Sequence, residues 1–258
     1  MLALVTGASS GIGLEYAKAL AQQGYDLLIV SNQEKEIQET ATLLHQEWKV
    51  AVTPLYMDLT DEKAVETLMN YCHEHGMEVE LLINNAGVFF FNELVNTNPR
   101  RIDIMIDLHV KTLTHMCRCF GEDMIKRGHG RIINMSSMSA WMAMPGINIY
   151  NATKAYILNF SRSLWYEYKP YGVTVTAICP GAVDTALYGL SPYWRKVAVG
   201  LGVSMPPAKL VQKALRASQK GKKQILPGWL NHLFIPIIKH LPDWLIFAVI
   251  KRLKQFQK

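Results

Sequence analysis

Leu2-Ala3-Leu4-Val5-Thr6-Gly7-Ala8-Ser9-Ser10-Gly11-Ile12-Gly13-Leu14-Glu15 is the stretch from which the fold is read. Four apolar residues lead into Thr6, a pattern expected of a buried strand. Three glycines follow, Gly7, Gly11 and Gly13, and then an amphipathic segment of helical length, Gly11 to Gln23. In a turn between strand and helix, glycine permits the tight bend. It also lets backbone N–H groups approach a diphosphate, whose charge is favoured at a helix N-terminus. Close packing alone also selects glycine at such turns, so the stretch by itself leaves both roles open.

Working outward, the same alternation repeats. β-branched-rich apolar runs fall at Asp26 to Ser31, Val50 to Tyr56, Val79 to Ile83, Arg131 to Met135 and Val173 to Ile178, with a short one at Gln224 to Leu226. Between them lie helical periods at Glu34 to Glu47, Asp61 to His75, Pro99 to Arg127 and Ile149 to Tyr168. Parallel crossovers need an intervening segment, and these segments have helical period. The expectation is an α/β fold, a doubly wound parallel sheet of about seven strands covered by helices on both faces. Residues 1–227 form the dinucleotide-binding part in this division, with a partly helical substrate loop at 186–207, and residues 228–258 form an apolar, basic tail.

Composition narrows the function classes. In 258 residues, 50% are hydrophobic and 19% charged, enough apolar material for a core and incompatible with global disorder. Cys72, Cys117, Cys119 and Cys179 form no C-x-x-C pair, so neither a disulfide framework nor a metal site is expected. No signal peptide precedes the first strand, and a cytoplasmic location is the expectation. The net charge of +6 is unevenly placed: residues 220–258 hold eight Lys and Arg against one Asp, while the rest of the chain is nearly balanced. That distribution argues against a nucleic-acid-binding body. In the tail, Pro227, Pro236 and Lys239 interrupt the apolar runs, and Trp244 to Ile250 is shorter than the ~20 residues a bilayer span needs. Two short amphipathic helices are expected there, covering the substrate cleft, forming an oligomer contact or making peripheral contact with a membrane.

A second motif is Tyr150-Asn151-Ala152-Thr153-Lys154, preceded thirteen residues earlier by Ser137 at a strand end. With Tyr150 opening a helix, Lys154 lies one turn later on the same face. A phenol near pKa ~10 works as acid or base at neutral pH only beside a positive charge that lowers it. Ser137 would hold a substrate oxygen. Tyr and Lys at this spacing also occur on ordinary amphipathic helices, and it is the ordered pairing with the glycine turn that argues for chemistry.

Together these residues make the chain resemble a classical short-chain dehydrogenase/reductase (SDR). The resemblance rests on T-G-x-x-x-G-x-G from Thr6 to Gly13, Asp58-Leu59, Asn84-Asn85-Ala86-Gly87, Ser137, Tyr150, Lys154, and Pro180-Gly181 followed by Thr185. It implies a Rossmann-like fold and a nicotinamide cofactor. Tyr150 would be the proton donor and acceptor, Lys154 the ligand of the nicotinamide ribose, and Ser137 the group polarising the carbonyl. Gly7, Ser9, Ser10, Gly11, Ile12 and Gly13 would hold the diphosphate, and Ser31 and Asn32 the adenosine ribose. Asp58 and Leu59 would contact adenine, Asn85, Ala86 and Gly87 would line the cofactor, and Pro180, Gly181, Val183 and Thr185 would lie at the nicotinamide end.

Three departures from the family pattern carry information. The asparagine usual in the fourth helix is replaced, within the pair His109-Val110, by a histidine that either completes a proton relay or is simply half-buried. At the end of the second strand stand Ser31 and Asn32, with no carboxylate to repel a 2′-phosphate, which favours NADP and leaves NAD open. The apolar tail resembles that of DltE-like oxidoreductases and, with Met138, Trp141, Met142 and Met144 before Tyr150, points to a small hydrophobic carbonyl or alcohol substrate. Core packing accounts for some of these side chains equally well. The family resemblance also implies a homodimer or homotetramer. A ketoacyl-thioester reductase and a non-catalytic nucleotide-sensing module are the alternatives.

Overall fold

The computed structural model describes residues 1–184, 204–228, 231, 232, 235, 236 and 242–247. Seven parallel strands form one sheet: β1 (Leu2–Thr6), β2 (Asp26–Ser31), β3 (Val52–Tyr56), β4 (Val79–Asn84), β5 (Gly130–Met135), β6 (Val173–Ile178) and the edge strand β9 (Gln224–Ile225). Their order across the sheet is β3-β2-β1-β4-β5-β6-β9, so the direction of winding reverses between β1 and β4. This is the expected Rossmann-like arrangement, and a crevice opens at such a reversal, beyond the carboxyl ends of the strands.

Alternate residues of each strand supply opposite cores, as a period of two requires. Ala3, Val5, Leu27, Ile29, Leu81, Ile83 and Ile133 pack with α1 (Gly11–Ala21), α2 (Glu34–Trp48) and α7 (Pro207–Gln219). Leu4, Leu28, Val30, Leu82, Ile132 and Val175 pack the other way, against α3 (Ala64–Glu74), α5 (Leu113–Arg127) and α6 (Asn148–Tyr168). Covered on both faces, these strands read as continuous apolar runs in the sequence.

Several expectations are corrected. The helix expected over 99–127 is three pieces: α4 (Pro99–Ile106), a π-helical turn (Asp107–Thr112) and α5. The helix expected from Asp61 begins at Ala64, because the Asp58 and Asp61 carboxylates accept bonds from the Thr60 and Lys63 N–H groups and hold a turn there. α7 was not anticipated, although Pro207 at its start and Leu210, Val211, Ala214 and Leu215 on its buried face signal it. Of the loop expected at 186–207, Ser204–Met205 form a strand, β8, paired with β7 (Ala182–Val183), and Pro207 opens α7. Residues 186–203 and most of the expected tail lie outside the described residues. Residues 243–247 form one helical turn. Among the described residues, no helix is long and apolar enough to cross a membrane.

Candidate active site

A cleft of about 520 Å³ lies over the β1/β4 reversal, bounded at one end by Gly7 to Ile12 and at the other by Ser137, Tyr150 and Lys154. The glycine turn is held rigidly. The N–H groups of Gly7 and Ala8 donate to the Val30 carbonyl at 2.8 and 3.3 Å. Thr6 Oγ1 donates to the Ile83 carbonyl at 3.2 Å and accepts from the Asn85 and Ala86 N–H groups, each at 3.0 Å. The Asn85 amide returns two bonds, to the carbonyls of Thr6 and Gly7. Gly7 sits at φ +66°, open to glycine, and a Cβ on Gly13 would overlap the Gly7 carbonyl. Gly13 therefore serves packing beneath the turn and does not line the cleft. Ser10 precedes α1 without a side-chain bond to the helix, and no acidic residue occupies its first turn, which suits an anion there.

At the far side of that turn, Ser9 and Ser31 share a hydrogen bond of 2.8 Å, and Ser9 Oγ lies 2.7 Å from Gln33 Oε1. Gln33, which the motif reading passed over, thus joins Ser31 and Asn32 on the cleft wall. These groups are uncharged. Lys35, the nearby cation, pairs with Glu39 at 3.8 Å on the exposed surface of α2. Asp58 and Leu59 line the cleft too, with the Asp58 carboxylate bonded to the Thr60 hydroxyl at 2.8 Å and the Leu59 carbonyl accepting from Thr112 Oγ1 at 2.6 Å.

The other end of the cleft concentrates buried polar groups. Ser137 ends the β5 extension; its Oγ accepts from the Ser139 N–H at 3.1 Å, leaving the hydroxyl hydrogen for another acceptor. Tyr150 lies in the first turn of α6 and Lys154 one turn further, only 7% and 6% exposed. Lys154 Nζ donates to the Met135 carbonyl at 3.0 Å and lies 5.4 Å from the centre of the Tyr150 ring. Burial pushes the Lys154 ammonium down from 10.5 to about 7. Negative charge entering the cleft would favour its charged form again.

His109 projects from the π-helical turn and is 1% exposed. Its ring centre is 5.9 Å from that of Tyr150, and Nε2 lies 3.2 Å from the Val88 nitrogen while Nδ1 lies 3.0 Å from Thr153 Oγ1. Burial, aided by the Lys154 charge, holds the imidazole well below its ordinary pKa, so it is neutral. Val88, Thr153 and Phe89, whose ring meets Tyr150 edge-on at 5.0 Å, are neighbours that motif spacing did not single out. Thr153 occupies a position inside the Tyr-to-Lys motif, where its polarity was the available signal.

The structure brings Ala86, Gly87, Pro180 and Val183 to the same cleft. Gly181 instead packs against the Asn231 side chain, and Thr185 lies outside the described residues. Trp141, expected on the substrate side, packs with Leu158, Ala177 and Cys179, because the short helix carrying it (Met138–Trp141) lies against α6. Apolar lining comes from Met57, Val88, Ile104 and Leu108. Among the described residues, no group of His, Cys, Asp or Glu is arranged to hold a metal ion.

A family model described as short chain dehydrogenase matches residues 1–195. The very-long-chain 3-oxoacyl-CoA reductase of Bos taurus is 28% identical over 257 residues, covering 96% of this chain and 77% of the relative. A short-chain dehydrogenase from Sphingobium yanoikuyae, solved in complex with NADPH, is 28% identical with a TM-score of 0.80, covering 100% of this chain and 95% of the other. The bulky-bulky ketone specific alcohol dehydrogenase from Comamonas testosteroni is 27% identical with a TM-score of 0.78, covering 100% and 94%.

Proposed function

This chain belongs to the short-chain dehydrogenase family, an NAD(P)-dependent class of oxidoreductase, and on that premise we propose that it interconverts a hydrophobic ketone and its secondary alcohol with NADP as the preferred cofactor. One observation carries the reading: a buried phenol, a buried ammonium and a serine hydroxyl share the end of a cleft whose other end is a rigid glycine turn. The residues present fit a dinucleotide, since the turn excludes side chains where a diphosphate would approach and no carboxylate occupies the Ser31-Asn32 corner. A bound nicotinamide supplies or accepts hydride. Gly7 to Ile12 would hold the diphosphate, Ser9, Ser31 and Asn32 the ribose 2′-substituent, and Lys154 the nicotinamide ribose.

The chain's own chemistry is proton handling. Tyr150 Oη gives a proton to the carbonyl oxygen in reduction and takes it back in oxidation. Lys154, when protonated, stabilises the phenolate that results. Ser137, with its hydroxyl hydrogen uncommitted to Ser139, donates to the same substrate oxygen. The apolar lining of Val88, Ile104 and Leu108 supports an apolar substrate, and the likeness to the bulky-bulky ketone specific alcohol dehydrogenase from Comamonas testosteroni supports a ketone. A ketoacyl-thioester reductase is the second reading, favoured by the likeness to the Bos taurus enzyme along nearly the whole chain. A homodimer through α5 and α6 belongs to the proposal. So does peripheral membrane contact by the tail, where Trp244 and Phe247 are 70% and 68% exposed in a region of net positive charge.

The test pairs fluorescence titration with NADPH and NADH against reduction of bulky apolar ketones and of matched ketoacyl thioesters. NADPH preference with ketone turnover that Tyr150→Phe abolishes is the expected outcome. Thioesters outcompeting ketones would install the second reading, and binding of neither cofactor would overturn both.

A further inference from the structure

We propose that His109 is a positioning residue, an imidazole clamp that holds Tyr150 from two directions and carries none of its proton traffic. The proposal rests on the reading of Tyr150 as the acid–base group, and it goes beyond that reading by assigning the residue that stands in place of the family's usual asparagine.

The hydrogen-bond directions leave a single arrangement. An amide N–H can only donate, so the Val88 N–H at 3.2 Å requires His109 Nε2 to be bare. Thr153 Oγ1 gives its one hydrogen to the Tyr150 carbonyl at 3.0 Å, so toward His109 Nδ1, also at 3.0 Å, it accepts, and Nδ1 carries the proton. Both nitrogens are then engaged with groups that cannot pass a proton onward. The imidazole cannot serve as a relay without breaking one of these bonds.

Each bond leads back to Tyr150. Through Thr153 the ring supports the Tyr150 carbonyl in the first turn of α6. Through Val88 it fixes the segment carrying Phe89, whose ring meets that of Tyr150 in a perpendicular contact. The other end of that segment is tied by the Asn92 N–H to the Gly146 carbonyl at 2.8 Å. Gly87 completes the fit, since a Cβ there would come within 2.8 Å of Nε2. The charged group facing the imidazole is Lys154, and Tyr150 is the other titratable neighbour. A second proton would set N–H against the Val88 N–H and place two cations side by side, which keeps the ring neutral.

Two measurements test the clamp. In ¹⁵N-histidine-labelled protein, with the signal assigned by its loss in His109→Gln, NMR should show Nδ1 protonated, Nε2 bare and no titration from about pH 6 to about pH 9. An Nε2–H tautomer or a titrating ring overturns the proposal, and because this readout needs no turnover it holds or fails apart from the enzymatic reading. In ketone reduction, His109→Ala and Thr153→Val should each lower kcat roughly 100-fold, the loss expected of a misplaced reacting group, with KM for NADPH little changed. Thr153→Ser should restore activity. His109→Gln, whose carbonyl can accept from the Val88 N–H, should recover most of the loss, and the double variant should be no worse than either single one. A Gln variant as inactive as Ala beside a harmless Thr153→Val is the relay pattern and overturns the clamp. Full activity of Tyr150→Phe in the same assay would instead remove the enzymatic reading.

Discussion

Replacing Lys154 by methionine should make the cofactor-free protein more stable at neutral pH while removing its activity. Lys154 is buried, donates to the Met135 carbonyl, and has no carboxylate among its ion-pair partners in the described residues. The fall of its pKa from 10.5 to about 7 corresponds to about 5 kcal/mol of preference for the neutral form, nearly all of it felt at pH 7. Methionine has a similar unbranched shape and no charge to desolvate. Against this gain stands the Met135 carbonyl, left without its bond at a cost of about 1–3 kcal/mol. The net expectation is a variant more stable by about 2–4 kcal/mol, or roughly 5–15 °C in Tm for a chain of this size. The sign with pH is fixed by proton counting. Between about pH 7 and 10.5 the unfolded chain binds the Lys154 proton and the folded chain does not, so wild-type stability gains with rising pH and the variant lacks that slope. Thermal unfolding followed by circular dichroism across this range should show the gap widest at neutral pH and closing toward pH 10.5. A variant less stable than wild type at pH 7, or a gap independent of pH, would refute the reasoning.

The remaining predictions concern turnover, cofactor choice and the core. Tyr150→Phe should lower kcat by about 1,000-fold or more while NADPH affinity, read by fluorescence, moves less than about threefold; turnover within about tenfold of wild type would sink the assigned role. Asn32→Asp should weaken NADPH binding by about tenfold or more relative to NADH, because a carboxylate at that corner repels a 2′-phosphate and accepts from a 2′-hydroxyl; an unchanged ratio in side-by-side titrations would place the ribose elsewhere. Asn134→Ala should cost about 2–4 kcal/mol in urea unfolding. Its fully buried amide accepts from Asn84 Nδ2 at 2.8 Å and donates to Ser161 Oγ at 2.9 Å, and each partner would lose a bond in the core, Asn84 keeping only its weak contact with Cys117 Sγ and Ser161 its bond to the Ile157 carbonyl.

The conformational device behind the proposed clamp was not visible as sequence. Residues 99–127 carry one helical period, and nothing in the order of Asp107-Leu108-His109-Val110-Lys111-Thr112 announces a π turn. The turn is held by partners far along the chain: Thr112 on the Leu59 carbonyl, and His109 on Val88 and Thr153. Likewise Trp141 and Met57 are both large apolar residues in the sequence, yet one packs beneath α6 and the other lines the cleft. Such assignments depend on which element lies opposite, a property of the assembled layers.

What the sequence determined by itself was local and periodic. Runs of two-sided apolar residues made the strands β1, β2 and β6 with the anticipated bounds, because burial on both faces is a demand each short segment meets alone. The glycine turn was legible because excluding side chains leaves glycine as its only written form, and the Tyr150 and Lys154 pair because one helical turn is a fixed spacing. Only the tertiary structure decided that Gly13 packs rather than lines, that Gln33 joins Ser31 and Asn32 on the cleft wall, that Lys154 loses its water, and that a histidine is locked into one neutral form. Desolvation and hydrogen-bond direction arise from groups that the chain brings together across 21 to 44 residues or more, and no window of sequence contains both partners.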